Sequence, residues 1–412
     1  MSHEYLPSVS LVVPTLREAE NLPPLLEAVS AVQEEHALDL EVWIMDDDSR
    51  DGTVAAVEAM GLSCVHLVVR TRAPGLCEAV LDGVSRSSGD VVVVMDADGS
   101  HSPAVIPSLV RAVADGADIA IGSRYVAGGA VDPGWGILRM LNSRVATLLA
   151  RPLTSARDPM SGFFAIARER VLAARERLCP VGYKIGLELI VRCGCEQIAE
   201  VPITFARRER GRSKLTIREQ LRYLEHLRRL YLSSSPGPAS ALLFSLVGAS
   251  GAVVNLVVAA LLALSGAGDR AAIGGGIMAS VCSNFALNRR LTFPWARSGP
   301  VLKQFAGFAA ASSAGLLVNY LVSVAMRVNA GVPLSLAVCS GIAAGMGLNY
   351  LASRFVVFRH TTSGGITPLP SAATMAAGRQ SRQRSGGGRS PGRRLKPSAR
   401  QTRTSRRESA LR

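Results

Sequence analysis

The sequence predicts an α/β domain with a mostly parallel sheet covered by helices on both faces, followed by an interfacial helix and four transmembrane helices. Three observations carry this. Five short β-rich runs alternate with helical stretches up to about residue 125, acidic clusters close two of those runs, and four long apolar stretches fill the region after residue 239.

The runs are "VSLVVP", "EVWIMDD", "CVHLVV", "DVVVVMD" and "DIAIGS", separated by "ENLPPLLEAVSAVQEE", "GTVAAVEAM", "GLCEAVLDGVSRS" and "SPAVIPSLVRAVADG". Strands this continuously apolar must be buried on both faces, which is the situation of a parallel sheet between helical layers. Ligands of such sheets bind outside the carboxyl ends of the strands. Asp46-Asp47-Asp48 and the pair Asp96 and Asp98 both fall at strand C-termini, so they meet at one edge.

Residues 216–238 form the next segment. In "TIREQLRYLEHLRRLYL", Ile217, Leu221, Leu224, Leu227 and Tyr231 recur at helical spacing, with Arg218, Arg222, Arg228 and Arg229 around them. A basic amphipathic helix suits a membrane interface. A surface helix docked on the preceding domain is the alternative.

The apolar stretches at 241–264, 271–288, 304–326 and 334–357 each approach the roughly 20 residues needed to span a bilayer core. Arg289, Arg290, Arg297 and Lys303 lie between the second and third, and Arg354 and Arg359 close the fourth. The positive-inside bias then puts the N-terminal domain, the middle loop and the C-terminal tail on the cytoplasmic side. The region also repeats. "FSLVGASGAVVN" matches "FAAASSAGLLVN", and "NFALNRRLTF" matches "NYLASRFVVF", as two duplicated helical hairpins would.

The 412-residue chain has a formal charge of +14, of which residues 361–412 hold twelve Arg or Lys against one Glu. That tail is too polar to bury a core and is expected to be disordered. Its place beyond a cytoplasmic helix end suits anionic lipid. It has almost no aromatics to stack on bases, so no specific nucleic acid is expected. The seven cysteines lack metal-site spacing and read as reduced thiols. The N-terminus carries no signal-peptide pattern. Alanine and arginine richness points to a GC-rich bacterial genome, so the membrane expected is a bacterial plasma membrane.

Asp96 and Asp98 repel one another, and a hard divalent cation would compensate them. Such an ion completes its shell with substrate phosphates, which suggests a nucleotide diphosphate. His101 reads as a packing residue.

The motifs "VVPTLREAENL", "IMDDDSRDGT", "MDADGSHSP", "GSRYVAGG", "DPMSGFFAI", "GYKIGLELIVR" and "EVPITFARRERGRSKL" resemble, in order, family 2 glycosyltransferases of the dolichyl- or polyprenyl-phosphate mannose synthase group. Residues 240 to 360 resemble the GtrA-like four-helix membrane domain. The resemblance implies a GT-A nucleotide-sugar-binding domain over 1–215, the interfacial helix and linker at 216–238, a transmembrane domain of two tandem hairpins at 239–360 and the basic tail at 361–412. It also implies roles. Pro14 and Glu18, with Asp46 or Asp47, would hold the nucleoside. Asp96 and Asp98 would bind Mg²⁺ or Mn²⁺, with Ser100 a further ligand. Arg124 would lie near the pyrophosphate or the acceptor phosphate, and Arg208 and Lys214 would grip that phosphate. Asp158 and Ser161 of "DPMSGFF" are weaker candidates, Ser161 for the same phosphate. Leu16-Arg17 stands where relatives carry Tyr-Asn, which bears on base recognition.

A lipid monophosphate is largely ionised near neutral pH and needs no general base. Catalysis reduces to positioning and stabilisation of the departing nucleotide, with inversion at the sugar. The expected reaction moves mannose from GDP-mannose to a polyprenyl (dolichyl-type) phosphate. The alternatives are UDP-glucose or another nucleotide sugar as donor, or a glycolipid-translocating membrane protein with an accessory transferase domain.

Overall fold

The computed structural model describes residues 6–72, 74–132, 134, 136–179, 181–206 and 216–359. The tail expected at 361–412, and Arg208 and Lys214, lie outside them.

The N-terminal part contains β1 (Val9–Thr15), α1 (Leu22–His36), β2 (Leu40–Asp46), α2 (Thr53–Ala59), β3 (Val65–Val69), α3 (Leu76–Arg86), β4 (Val91–Val94), α4 (Ile106–Ala114) and β5 (Ile119–Ser123). All five runs read from the sequence are strands. Then follow β6 (Ala130–Val131), α5 (Ile137–Ala150), β7 (Phe164–Ala167), α6 (Arg168–Ala173), α7 (Ile185–Arg192), β8 (Ile198–Pro202) and β9 (Thr204–Phe205). Seven strands make one sheet in the order β3-β2-β1-β4-β7-β5-β8, and β6 pairs with β9 apart from it.

β7 runs antiparallel to both β4 and β5, while the other pairs in the main sheet are parallel. This reversal positions the site. The segment before Phe164 lies at the same edge as the C-termini of β4 and β5, because Phe164 pairs with Val94 and Ile121.

The valine run shows why both faces are apolar. Val91 and Val93 join a core with Leu22, Leu26, Ile106 and Leu109 from α1 and α4. Val92 and Val94 join another with Val80, Val84, Ile185 and Leu189 from α3 and α7. Alternate side chains of a strand point to opposite faces, so two helical layers consume the whole run.

α8 (Ile217–Ser234) begins at Thr216, whose hydroxyl accepts from the Glu219 amide at 3.3 Å. This is half of the capping box that "TIRE" encodes. Tyr223, Leu227 and Leu230 pack on Ala150, Met160 and Leu187. The Tyr223 hydroxyl donates to the Ala146 carbonyl at 2.7 Å. Ile217, Leu221 and Leu224 stay exposed. One side of the helix docks on the domain, as the surface-helix alternative expects, and the other offers apolar side chains outward. Beside it, α5 exposes Ile137, Leu141, Val145 and Leu148, a helical stripe that the sequence reading did not single out.

α9 (Pro236–Leu264), α10 (Asp269–Leu287), α11 (Val301–Val324) and α12 (Leu334–Ala352) follow. Among the described residues, three helices are long and apolar enough to cross a membrane: Pro236–Leu264, Asp269–Thr292 and Val301–Asn329. The fourth stretch forms α12, 19 residues long, with a π-helical turn continuing it from Ser353 to Val357. The repeat is visible in three dimensions. π-turns follow α10 and α12 at matched positions, and the matched residues Phe293 and Phe358 stack at 4.9 Å with both rings fully buried. Matched Gly251 and Gly315 leave space filled by Asn284 on α10 and by Gly345 and Asn349 on α12, so small residues permit close helix packing.

Candidate active site

The strand ends gather five motifs at one edge. β1 delivers Pro14, half-buried, and then Glu18, which accepts from the Asn21 amide side chain at 2.6 Å. At the end of β2, Asp46 is sealed inside. It accepts from the Ser49 amide at 2.9 Å and from the Thr15 hydroxyl at 3.3 Å. Asp47 forms a close ion pair with Arg70, which follows β3, and accepts from the Gly75 amide at 2.7 Å. Asp46 thus shapes the turn, and Asp47 fixes the cation of Arg70 beside it. Sequence reasoning missed Arg70. The signal was available: a basic residue directly after a strand expected to neighbour the acidic one.

Beyond β4, Asp98 is buried and accepts from the Ser100 amide at 3.1 Å and the Ser100 hydroxyl at 2.5 Å. Asp96 is half-buried, facing Gly162 of the "DPMSG" turn. A Cβ at Gly162 would lie 3.0 Å from Asp96 Oδ2. Glycine therefore keeps that flank of the carboxylate open. His101 stacks on Phe163 at 5.1 Å and meets Phe205 edge-on at 5.3 Å. Burial lowers its pKa against the pull of Asp96 and Asp98, and it packs as expected from the sequence.

Arg124 follows β5. Its Nε and Nη2 donate to the two carboxylate oxygens of Asp158 at 2.7 Å each, and its backbone amide donates to Asp158 Oδ2 at 3.0 Å. Asp158 is fully buried and Arg124 nearly so. Burial opposes the guanidinium charge, yet the Asp158 bonds outweigh it and hold the Arg124 pKa above its ordinary value. Such a bidentate pair fixes the guanidinium plane. Asp158, a weak candidate by sequence, is the residue that positions Arg124.

Two further residues hold the turn. Glu200 accepts from the amides of Arg157 and Asp158 at 2.9 and 3.0 Å. Lys184 donates to the Met160 carbonyl at 2.9 Å. Burial and the neighbouring Arg124 bring the Lys184 pKa down to about 8. Ser161 uses its hydroxyl within the turn, accepting from the Phe163 amide at 3.2 Å. Ala206 donates to the Ser100 carbonyl at 3.1 Å, so the chain passes beside Asp98 just before residues 207–215, which hold Arg208 and Lys214.

Asp96, Asp98 and the Ser100 hydroxyl are hard oxygen donors on one short loop, a set that fits a hard divalent cation. Among the described residues no group of three or more His, Cys, Asp and Glu forms a cage. An ion held here would share its shell with substrate oxygens.

This edge, with a diacid after the fourth strand and a fixed arginine after the fifth, is that of a glycosyltransferase: residues 10–173 match the model of "Glycosyl transferase family 2", and residues 243–358 match "GtrA/DPMS, transmembrane domain". The dolichol-phosphate mannosyltransferase of Pyrococcus furiosus is 36% identical over 357 residues, which cover 85% of this chain and 99% of that one. That of Saccharomyces cerevisiae is 37% identical, over 56% of this chain and 88% of its own. The chain belongs to the dolichol-phosphate mannosyltransferase family of membrane glycosyltransferases. Among solved structures, glucosyl-3-phosphoglycerate synthase of Mycobacterium tuberculosis matches with a TM-score of 0.43 at 23% identity, covering 55% of this chain and 80% of that one.

Proposed function

We propose that this enzyme transfers mannose from GDP-mannose to a polyprenyl monophosphate at the cytoplasmic face of a bacterial plasma membrane, inverting the anomeric centre. The observation that carries the reading is the placement of Asp96, Asp98 and the Asp158-held Arg124 at one sheet edge, in a family of this activity. The catalytic domain spans 1–215, residues 216–238 join it to a four-span anchor at 239–360, and the tail at 361–412 lies on the cytoplasmic side.

Pro14 and Glu18 hold the nucleoside together with Asp47 and Arg70, on the turn that Asp46 shapes. Asp96, Asp98 and Ser100 hold Mg²⁺ or Mn²⁺, which when bound offsets the charge of the departing diphosphate. Arg124 presents a fixed cation to the acceptor phosphate, with Arg208 and Lys214 completing that grip; Ser161 remains in its turn. The acceptor oxygen is already ionised, so the protein supplies orientation and charge rather than a base. The outward apolar side chains of α5 and α8 support a catalytic domain seated at the bilayer surface, where the acceptor headgroup lies.

The test is incubation of the purified full chain with labelled GDP-mannose, polyprenyl phosphate and Mg²⁺ or Mn²⁺, with UDP-glucose in parallel. A labelled, solvent-extractable mannolipid is expected, and Asp98→Ala should abolish it. Transfer from UDP-glucose alone would reassign the donor. No glycolipid from any common nucleotide sugar would reject the reading.

A further inference from the structure

At the junction of α8 with the loop between the two hairpins, three arginines bond one short piece of backbone and a fourth lies beside them. Arg228 of α8 donates to the Leu291 carbonyl at 2.6 Å. Arg297 donates to the Arg290 carbonyl at 2.6 Å. Arg289 reaches over the Arg297 and Gly299 carbonyls and bonds the Gln304 side chain at 2.8 Å. Arg229 shares the carboxylate of Glu225 with Arg228.

The charge balance here is one-sided. Glu225 is the carboxylate in this cluster, and it is engaged by Arg228 and Arg229. Arg289 and Arg297 direct their described bonds to neutral oxygens, and the Arg290 guanidinium has no hydrogen-bond or ion-pair partner among the described residues. Arg290 and Arg297 are exposed. Burial, and the like charges of Arg228 and Arg290, lower the Arg297 pKa despite Glu225. Such self-repulsion favours an anion.

The repeat separates this cluster from what the scaffold requires. Arg289 aligns with Arg354, which bonds the hydroxyls of Tyr350 and Ser240 at 2.6 and 3.2 Å. Arg290 aligns with Phe355, an exposed residue. The second hairpin thus ends in the same π-turn without a counterpart of Arg290 or, among the described residues, of the cluster. Depth argues for the occupant. The cluster lies between the spans Asp269–Thr292 and Val301–Asn329, and Trp295, whose indole donates to the Phe358 carbonyl at 2.9 Å, stands in the same loop. Tryptophan and arginine at a span end mark the headgroup layer.

The geometry points to a binding site for the phosphate headgroup of an anionic bilayer phospholipid, formed by Arg228, Arg290 and Arg297 at the α8–hairpin junction and separate from the transfer site. Planar guanidiniums held by backbone carbonyls are pre-set to engage phosphate oxygens.

The test uses the full chain purified in a neutral detergent, titrated with dioctanoyl phosphatidylglycerol, dioctanoyl phosphatidylcholine and inorganic phosphate. Phosphatidylglycerol should bind in preference to the other two. Each arginine removed from an anionic headgroup should weaken binding about fivefold, so Arg290→Gln predicts about fivefold and the double variant with Arg297→Gln about thirtyfold. Arg290→Gln removes a side chain without partners among the described residues, which keeps the test clear of misfolding; an unchanged thermal melt verifies it. Equal binding of phosphatidylglycerol by Arg290→Gln and the parent overturns the site. Equal binding of inorganic phosphate overturns the lipid as its occupant.

Discussion

Asp158→Asn isolates the element that fixes Arg124, the arginine proposed to meet the acceptor phosphate. The substitution keeps the shape of the side chain and removes the charge opposite a nearly buried guanidinium. Two side-chain bonds of 2.7 Å and one backbone bond of 3.0 Å converge on this carboxylate, which is fully buried. Breaking a buried pair by removing one partner costs about 3–5 kcal/mol, because the remaining charge is left uncompensated. Arg124 cannot escape by deprotonating, since a guanidinium keeps its proton in a protein even when its partner is lost. For a domain of this size each kcal/mol lowers the melting point by about 2–4 °C, so a fall of about 6–20 °C is expected. Trp43 lies in β2, and with Trp135 and Trp295 replaced by Phe its fluorescence reports melting of the sheet in the full chain. Turnover should fall as well, because the guanidinium plane is no longer fixed. Coupling to Arg124→Leu gives the decisive arm: the double variant should melt higher than Asp158→Asn alone. A melt within about 2 °C of the parent with turnover retained would refute the role given to the pair.

Three further outcomes follow from the same geometry. Gly162→Ala places a methyl 3.0 Å from Asp96 Oδ2. The fold should persist while the metal concentration for half-maximal turnover rises several-fold; an unchanged metal titration would show that Asp96 is not a ligand. Glu41 accepts from the Ser10 hydroxyl and the Ser88 amide, both at 2.6 Å. Burial raises its pKa, but these bonds prevail and bring it from 4.5 to about 2. Its folded pKa is depressed, so its contribution is present above pH 4.5 and lost as the pH falls toward 2. In Glu41→Gln that part of the acid destabilisation, at most about 3 kcal/mol, should vanish from melts recorded against pH, and an identical profile would contradict it. Leu141→Asp with Leu148→Asp charges the outward face of α5. The KM for long-chain polyprenyl phosphate in vesicles should rise at least about tenfold with that for the nucleotide sugar unchanged, and equal effects on both would argue against a bilayer-facing role.

The sequence was most legible where periodicity is strict. Five strands, the amphipathic helix α8 and the duplicated apolar helices were readable because burial on two faces, burial on one face and continuous apolarity each leave their own pattern. β7 and β8 were harder to see. "FFAIA" carries the apolar content of a strand, but its antiparallel insertion between β4 and β5 depends on pairing that no local signal encodes. The acidic residues at the strand ends stood out because like charges there are conspicuous. Arg70, Glu200 and Lys184 were not, because a single charged residue reveals nothing until the fold brings its partner close. Asp158 lies 34 residues from Arg124, a separation that leaves no spacing rule to read. The apolar stripe of α5 was readable at i, i+4 and i+8, but the motif before it drew attention away.

The candidate site's edge and α8 are joined through one turn of α7. Lys184 stands at the N-cap position of that helix and its ammonium holds the Met160 carbonyl in the turn that carries Asp158 and Gly162. Four residues on, Glu188 accepts from the Cys179 amide and meets His226 Nε2 of α8, each at 2.7 Å. Residues four apart lie one above the other on a helix, so the turn under the transfer site and the helix leading to α9 grip neighbouring points on α7. Glu188 and His226 are both fully buried, and a buried polar pair of this kind fixes one arrangement where apolar packing alone would allow several. A shift of α8 relative to the sheet would therefore have to break that bond or drag the Asp158 turn with it. Because α8 also exposes Ile217, Leu221 and Leu224, the surface that would seat the enzyme on lipid and the turn that aims Arg124 form one packed unit. That rigidity is what the proposed acceptor would demand, since a phosphate confined to the headgroup layer would reach the enzyme at a single height.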